Sequence, residues 1–218
     1  MTPDWRIRLA RTFHHWTLHY LFNRLLEKAY RRTHPQVPWL APAAIEFLEG
    51  YLKPGDEMLE FGSGRSTLWF AGRIHHVTSV EHNPDWYAKI EAKIKDEGIL
   101  NITYHLHPRQ VDTIPAAGSN YVHVTQTLSP SSLDIVLVDG IYRAQCVLQS
   151  LPLLRNGGIL VIDNVNRYLP SRSIAPNSRS LQAGPIDEEW RAVLDIIGTW
   201  RFFWTSNGVS DTAFYFKP

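Results

Sequence analysis

Asp56-Glu57-Met58-Leu59-Glu60-Phe61-Gly62-Ser63-Gly64-Arg65-Ser66-Thr67, followed by His76-Val77-Thr78-Ser79-Val80-Glu81, decides how this chain is read. A short, mostly apolar run breaks at Gly62, restarts as a helix near Ser66, and returns as a second apolar run ending in an acid. Gly62 permits a tight bend, and Gly64 lets the backbone come close to a ligand. Glu81 follows roughly twenty residues on, where a carboxylate at a strand end can accept both hydroxyls of a ribose. The pattern predicts the opening of a nucleotide-binding α/β fold.

Two departures separate it from a dinucleotide turn. Ser66 stands where a third glycine is expected, and Glu60 immediately precedes the turn. A pyrophosphate is held by N–H groups at a helix N-terminus, and a neighbouring carboxylate repels it. S-adenosylmethionine has no phosphate and carries an ammonium and a sulfonium, so Glu60 favours it, directly or through water. The candidate cofactor residues are Glu60, Gly62, Ser63, Gly64, Ser66, Thr67, Glu81 and His82. Gly62 to Gly64 would hold the methionine end, and Ser66 or Thr67 would cap the helix. His82 borders the adenine or faces solvent at a turn. A purely structural glycine turn is the competing reading.

The 218 residues suffice for one core with a terminal extension. Apolar residues make up 44% and charged residues 20%, and the formal charge is +1, so no polyanionic partner such as nucleic acid is expected. Cys146 is the single cysteine, lies among apolar residues and reads as a reduced, buried thiol. Arg6, Arg8 and Arg11 interrupt any signal-peptide-like run, and no stretch approaches the roughly 20 apolar residues of a membrane span. A cytoplasmic protein is expected.

Residues 1–37 read as an amphipathic helical extension and 38–218 as the main domain. Over 4–31, Trp5, Leu9, Phe13, Trp16 and Tyr20 recur at helical steps, widened by Leu21, Leu25, Leu26 and Ala29. Arginines and lysines fill much of the rest. Such a helix packs on the domain, forms a homodimer, or lies peripherally on an anionic membrane. Further along, helices are predicted over 43–52, 66–72, from Asn83-Pro84-Asp85 to Asp96, 144–154 and 187–197. Strands are predicted at 102–107, 132–138 and 158–163, then a hairpin of 200–205 and 212–217 about an Asn207-Gly208 turn. Residues 166–185 form a long polar loop with Arg167, Arg172 and Arg179, either a lid over an anionic acceptor or a solvated loop. Trp39 is expected near the cofactor mouth or in the core. The alternation implies a doubly wound, Rossmann-like parallel sheet ending in an antiparallel strand.

From Pro38 onward the chain resembles class I S-adenosylmethionine-dependent methyltransferases. Glu60-Phe61-Gly62-Ser63-Gly64 is similar to that family's first motif, and Val80-Glu81-His82 to its second. Leu133-Asp134-Ile135-Val136-Leu137-Val138-Asp139-Gly140 and Gly158-Ile159-Leu160-Val161-Ile162-Asp163-Asn164 resemble small-molecule O-methyltransferases of the catechol and caffeoyl-coenzyme A type, and bacterial methyltransferases with a Val-Asp-Gly strand end. The resemblance implies strand order 3-2-1-4-5-7-6, a hydroxyl acceptor on a small molecule, and Asp139, Tyr142 and Asp163 in the chemistry, with Asp139 also beside the cofactor. It further implies a divalent cation, Mg²⁺ or another, on Asp139, Asp163 and Asn164. The same residues can instead orient substrate or cap a turn without metal. Tyr142 departs from the lysine or histidine of related enzymes. An unperturbed tyrosine, with pKa about 10, is a poor base at neutral pH, so the alternatives are Asp139 or a metal-bound hydroxide as base, Tyr142 activated by Arg143 or a cation, or Tyr142 as a pocket wall only. Two rival readings are a nicotinamide-dependent oxidoreductase, disfavoured by Glu60, Ser66 and the terminal hairpin, and a catalytically silent methyltransferase-like module docking through residues 4–31.

Overall fold

The computed structural model describes residues 17–109 and 116–218. Helix α1 (Leu18–Thr33) and helix α2 (Pro42–Tyr51) precede the sheet. Then come β1 (Glu57–Phe61), α3 (Arg65–Ala71), β2 (His76–Glu81), α4 (Pro84–Asp96), β3 (Ile102–Leu106), a short α5 (Asn120–His123), β4 (Leu133–Val138), α6 (Arg143–Ser150) and β5 (Leu154–Asp163). Helix α7 (Glu188–Ile197), β6 (Arg201–Ser206) and β7 (Asp211–Phe216) complete the order. The seven strands lie as β3-β2-β1-β4-β5-β7-β6. The first five are parallel, and β7 runs antiparallel to both β5 and β6. This is the Rossmann-like methyltransferase sheet that the sequence predicts.

β4 sits at the centre and is buried along its whole length, as a parallel strand covered on both faces must be. Its alternate residues feed two cores. Val136 and Val138 join Leu59, Leu160, Val147 and Val193 on one face, while Ile135 and Leu137 join Ile45, Leu48, Phe70 and Phe214 on the other. Phe61 pairs with Val138, and Val138 with Ile162, so Gly62, Asp139 and Asp163 emerge together at the carboxyl edge. Glu81 ends β2 at the same edge. Ligands of open α/β sheets bind along that rim.

Several boundaries differ from the sequence expectation. The helix predicted over 144–154 stops at Ser150, because Leu154 is already paired with Leu133. Lys217 Nζ donates to the Leu151 and Leu154 carbonyls at 2.9 and 2.6 Å, closing that end. The register shifts between Leu133 and Ile135, so β5 starts four residues earlier than the predicted 158. The hairpin closes through Asn207–Ser210, whose ends bond from Asn207 N to Ser210 O, and not through a two-residue Asn-Gly turn. There the Asn207 side chain accepts from the Val209 and Ser210 amides, 2.9 Å each. The helical turns at 116–127 went unread in the sequence, since Gly118, Ser119, Thr125 and Thr127 mask their periodicity. Of the helix expected over 4–31, residues 4–16 lie outside the described residues, and α1 continues to Thr33. Cys146 is buried and reduced as expected, its thiol pushed up by burial.

Candidate functional site

Gly62 carries φ +96°, and a Cβ there would meet the Gly140 backbone at 2.8–2.9 Å. The two strand ends can approach this closely only with glycine at Gly62, and a cavity of about 300 Å³ opens beside them. Gly62, Ser63, Glu81, His82, Asn83, Trp86, Asp139 and Gly140 line it. Glu81 is nearly buried, and its carboxylate is the most heavily bonded group here. Oε1 accepts from the His82 and Asn83 amides at 2.8 and 2.7 Å, and Oε2 from the Ser63 amide and hydroxyl at 3.2 and 3.0 Å. The backbone thus fixes the Glu81 carboxylate in place, while the Ser63 hydroxyl has a second partner in Tyr104 Oη at 2.5 Å. A ribose hydroxyl can therefore replace the Ser63 hydroxyl on Glu81 without stranding it. His82 Nδ1 lies 3.0 Å from Glu81 Oε1 but makes no hydrogen bond.

Trp86 was not singled out in the sequence. Its indole N–H donates to Ser63 O at 2.8 Å, pinning the glycine turn, and its ring walls the cavity. Asn83 caps α4 by accepting from the Trp86 amide at 3.0 Å, so the helix start read from Asn83-Pro84-Asp85 is the device that sets Trp86 in place.

Glu60, Gly64, Ser66 and Thr67 do not line the cavity. Glu60 is fully buried beneath the turn and accepts from the hydroxyls of Thr67 and Ser79, 2.6 Å each. Its other oxygen makes no well-formed hydrogen bond, with the Ser66 hydroxyl nearby. Burial pushes its pKa up to about 7 against those hydroxyls. Thr67 Oγ1 also accepts from the Gly64 amide at 3.0 Å. Glu60 is thus a tie between the first helix, its turn and β2. Alternating side chains along β1 turn it below the sheet edge.

A second cavity, about 350 Å³, adjoins the first and shares Gly140 with it. Tyr142, Arg143, Tyr168, Glu189, Trp190 and Arg109 are among its walls. Tyr168 and Trp190 stack with centroids 4.7 Å apart. Tyr142 enters α6 at φ +51°, a left-handed conformation uncommon outside glycine, so the polypeptide turns sharply at the cavity wall. Arg143 spends its donors on the sheet edge: on Gly140 O at 2.9 Å, on Asp139 O at 2.7 Å, on Asp163 O, and on Asp139 Oδ1 at 2.8 Å. Loss of hydration holds Asp139 above the usual carboxylate range, against the pull of Arg143. About a third of its side chain stays exposed, which damps that shift. Of the loop arginines expected to meet an anionic acceptor, Arg179 donates to the Gly184 and Ala183 carbonyls, and none lines either cavity. Trp39 lines neither as well, standing instead between the guanidinium groups of Arg31 and Arg65, each 5.5 Å from its ring.

The donor set does not fit a divalent ion. Asp163 is 2% exposed, with Oδ1 accepting from Thr212 Oγ1 at 2.6 Å and Oδ2 from the Asn164 amide. Burial, then the nearby Asp139 charge, holds Asp163 well above the usual carboxylate range. Asn164, at φ +52°, presents its N–H₂ to Asp163, and the Arg143 cation sits on Asp139. An ion there would compete with a buried arginine for one carboxylate and with two hydrogen bonds for the other. Among the described residues no cluster of three His, Cys, Asp or Glu could hold a metal.

Residues 59–165 match the family model described as a methyltransferase domain. No curated protein matches by sequence. Among solved structures, a methyltransferase-like protein from Silicibacter pomeroyi is 19% identical with a TM-score of 0.53, the match covering 84% of this chain and 89% of that one. A SAM-dependent methyltransferase from Aquifex aeolicus is 12% identical, with a TM-score of 0.51 and 89% and 97% coverage. A methyltransferase candidate from Streptococcus mutans, solved in complex with SAH, is 13% identical, with a TM-score of 0.51 and 79% and 94% coverage. Domain match and sheet order together define a class I methyltransferase, an enzyme dependent on S-adenosylmethionine.

Proposed function

We propose that this enzyme methylates an oxygen of a small anionic molecule, with no resident metal ion. The observation that carries the reading is the pair of cavities, about 300 and 350 Å³, that share Gly140. When bound, S-adenosylmethionine supplies an electrophilic methyl group on a sulfonium. Glu81 holds the ribose diol, the turn at Gly62–Gly64 the methionine end, and Trp86 and His82 the walls about the adenine. Asp139 stands where the cavities meet and accepts the proton of the acceptor hydroxyl, while Arg143 fixes its orientation. Its raised pKa makes Asp139 a better base than an ordinary carboxylate. Tyr142 and the Tyr168–Trp190 stack supply flat walls. Because Arg143 spends four of its five N–H donors on the sheet edge, Arg109 is the cation that meets an acidic group on the acceptor. Alignment of donor and acceptor across Gly140 then provides most of the acceleration.

Isothermal titration with S-adenosylhomocysteine tests the donor half. Glu81→Gln should weaken binding about tenfold or more, because the ribose loses a charged acceptor. Equal affinity in parent and variant would place the adenosine elsewhere. On the acceptor side, Asp139→Asn should lose turnover while retaining that binding, and activity should survive EDTA.

A further inference from the structure

Helix α1 is packed the wrong way round for a helix that only completes a core. Its one buried residue is Glu27, whose carboxylate pairs within the helix with Arg24 at 2.5 Å and Arg31 at 2.6 Å. Asn23, on the same side, abuts Gly208 of the β6–β7 loop. Leu18, Leu21, Phe22, Leu25 and Leu26 are exposed, from 40% at Leu21 to 87% at Leu18. At 100° per residue, Leu18, Phe22 and Leu25 centre a stripe opposite Glu27. Arg24, Lys28 and Arg32 form one flank of that stripe, and α1 has no outward carboxylate, since Glu27 is its single acid.

We infer that α1 docks the enzyme on an anionic lipid bilayer, with Leu18, Phe22 and Leu25 entering the interface and Lys28 and Arg32 on the headgroups. Charge decides the occupant. A second copy paired antiparallel through the stripe sets the basic flank against itself, and offers no carboxylate on this helix in reply. An anionic surface answers every cation, and a one-sided apolar stripe with basic flanks is the arrangement of an interfacial helix. The 16 preceding residues, outside the described ones, add Arg6, Arg8 and Arg11 in sequence against one acid, Asp4. The inference stands on α1 alone and is independent of the proposed acceptor chemistry.

Co-sedimentation of the full chain with phosphatidylcholine vesicles, with and without phosphatidylserine, tests it. Binding should require phosphatidylserine and fall at high salt. Lys28→Gln with Arg32→Gln should lower the partition coefficient roughly fivefold per cation, from about 1 kcal/mol for each near an anionic surface. Phe22→Ser with Leu25→Ser should abolish binding; these positions are exposed, so the thermal midpoint should match the parent. Binding to neither vesicle, binding unchanged in both variants, or a dimer by light scattering that Phe22→Ser with Leu25→Ser dissociates would each overturn the inference.

Discussion

Gly62 and Glu60 lie two residues apart and carry opposite duties. At Gly62 both the +96° φ and the 2.8 Å approach of Gly140 exclude a side chain. Gly62→Ala should cost about 1–3 kcal/mol of stability and depress affinity for S-adenosylhomocysteine, measurable by denaturant unfolding and calorimetry. Glu60 acts below the turn, with a folded pKa raised to about 7 from the usual 4.5. The folded state then holds a proton that the unfolded chain releases, so this contribution is whole below pH 4.5 and is lost as pH rises through 7. Unfolding at pH 5 and pH 7.5 should show the parent losing on the order of 2 kcal/mol from this group, and Glu60→Gln losing less. Parallel pH slopes in the two proteins would acquit Glu60. That this acid ties the first helix to β2 is visible only in the packing of Thr67 and Ser79 onto it.

At the scale of elements, the expected polar loop over 166–185 proves to be pinned. Asn166 is buried and donates to Pro176 O at 3.1 Å and Ser178 Oγ at 2.9 Å, and the Arg179 amide donates to Asn166 O at 2.9 Å. Tyr168, on the same segment, reaches the second cavity. Asn166→Ala should therefore speed hydrogen exchange across 170–179 by tenfold or more, while circular dichroism stays unchanged. Unaltered exchange would show that other contacts hold the loop. Composition marked this segment as a loop, since serines, prolines and asparagines abound. Its order draws on one side chain crossing to a carbonyl and a hydroxyl ten and twelve residues on, which no local pattern announces. The helix caps were legible for the opposite reason: Asn83 and Asp187 accept from amides three residues on, a purely local bond.

Across the whole molecule, protection should follow position in the sheet. β1, β4 and β5 are each flanked by two strands and covered by both cores, whereas β3 and β6 are edges, and Phe202 of β6 is 61% exposed. Native-state hydrogen exchange should find the slowest amides in β1, β4 and β5 and the fastest strand amides in β3 and β6. Uniform protection across the sheet would refute that ordering. The apolar runs, the turn glycines and the spacing to Glu81 were sufficient by themselves to determine a wound sheet with the Gly62 turn at its carboxyl edge, because strand period, turn geometry and capping are local physics. Which acids line the cavities, which cations are spent on the sheet edge, and which way α1 turns its apolar stripe were decided only in three dimensions. Burial, competition for hydrogen bonds and helix rotation are set by neighbours far away in the chain: Thr212 on Asp163, Arg143 on Asp139, and the β6–β7 loop beneath Asn23.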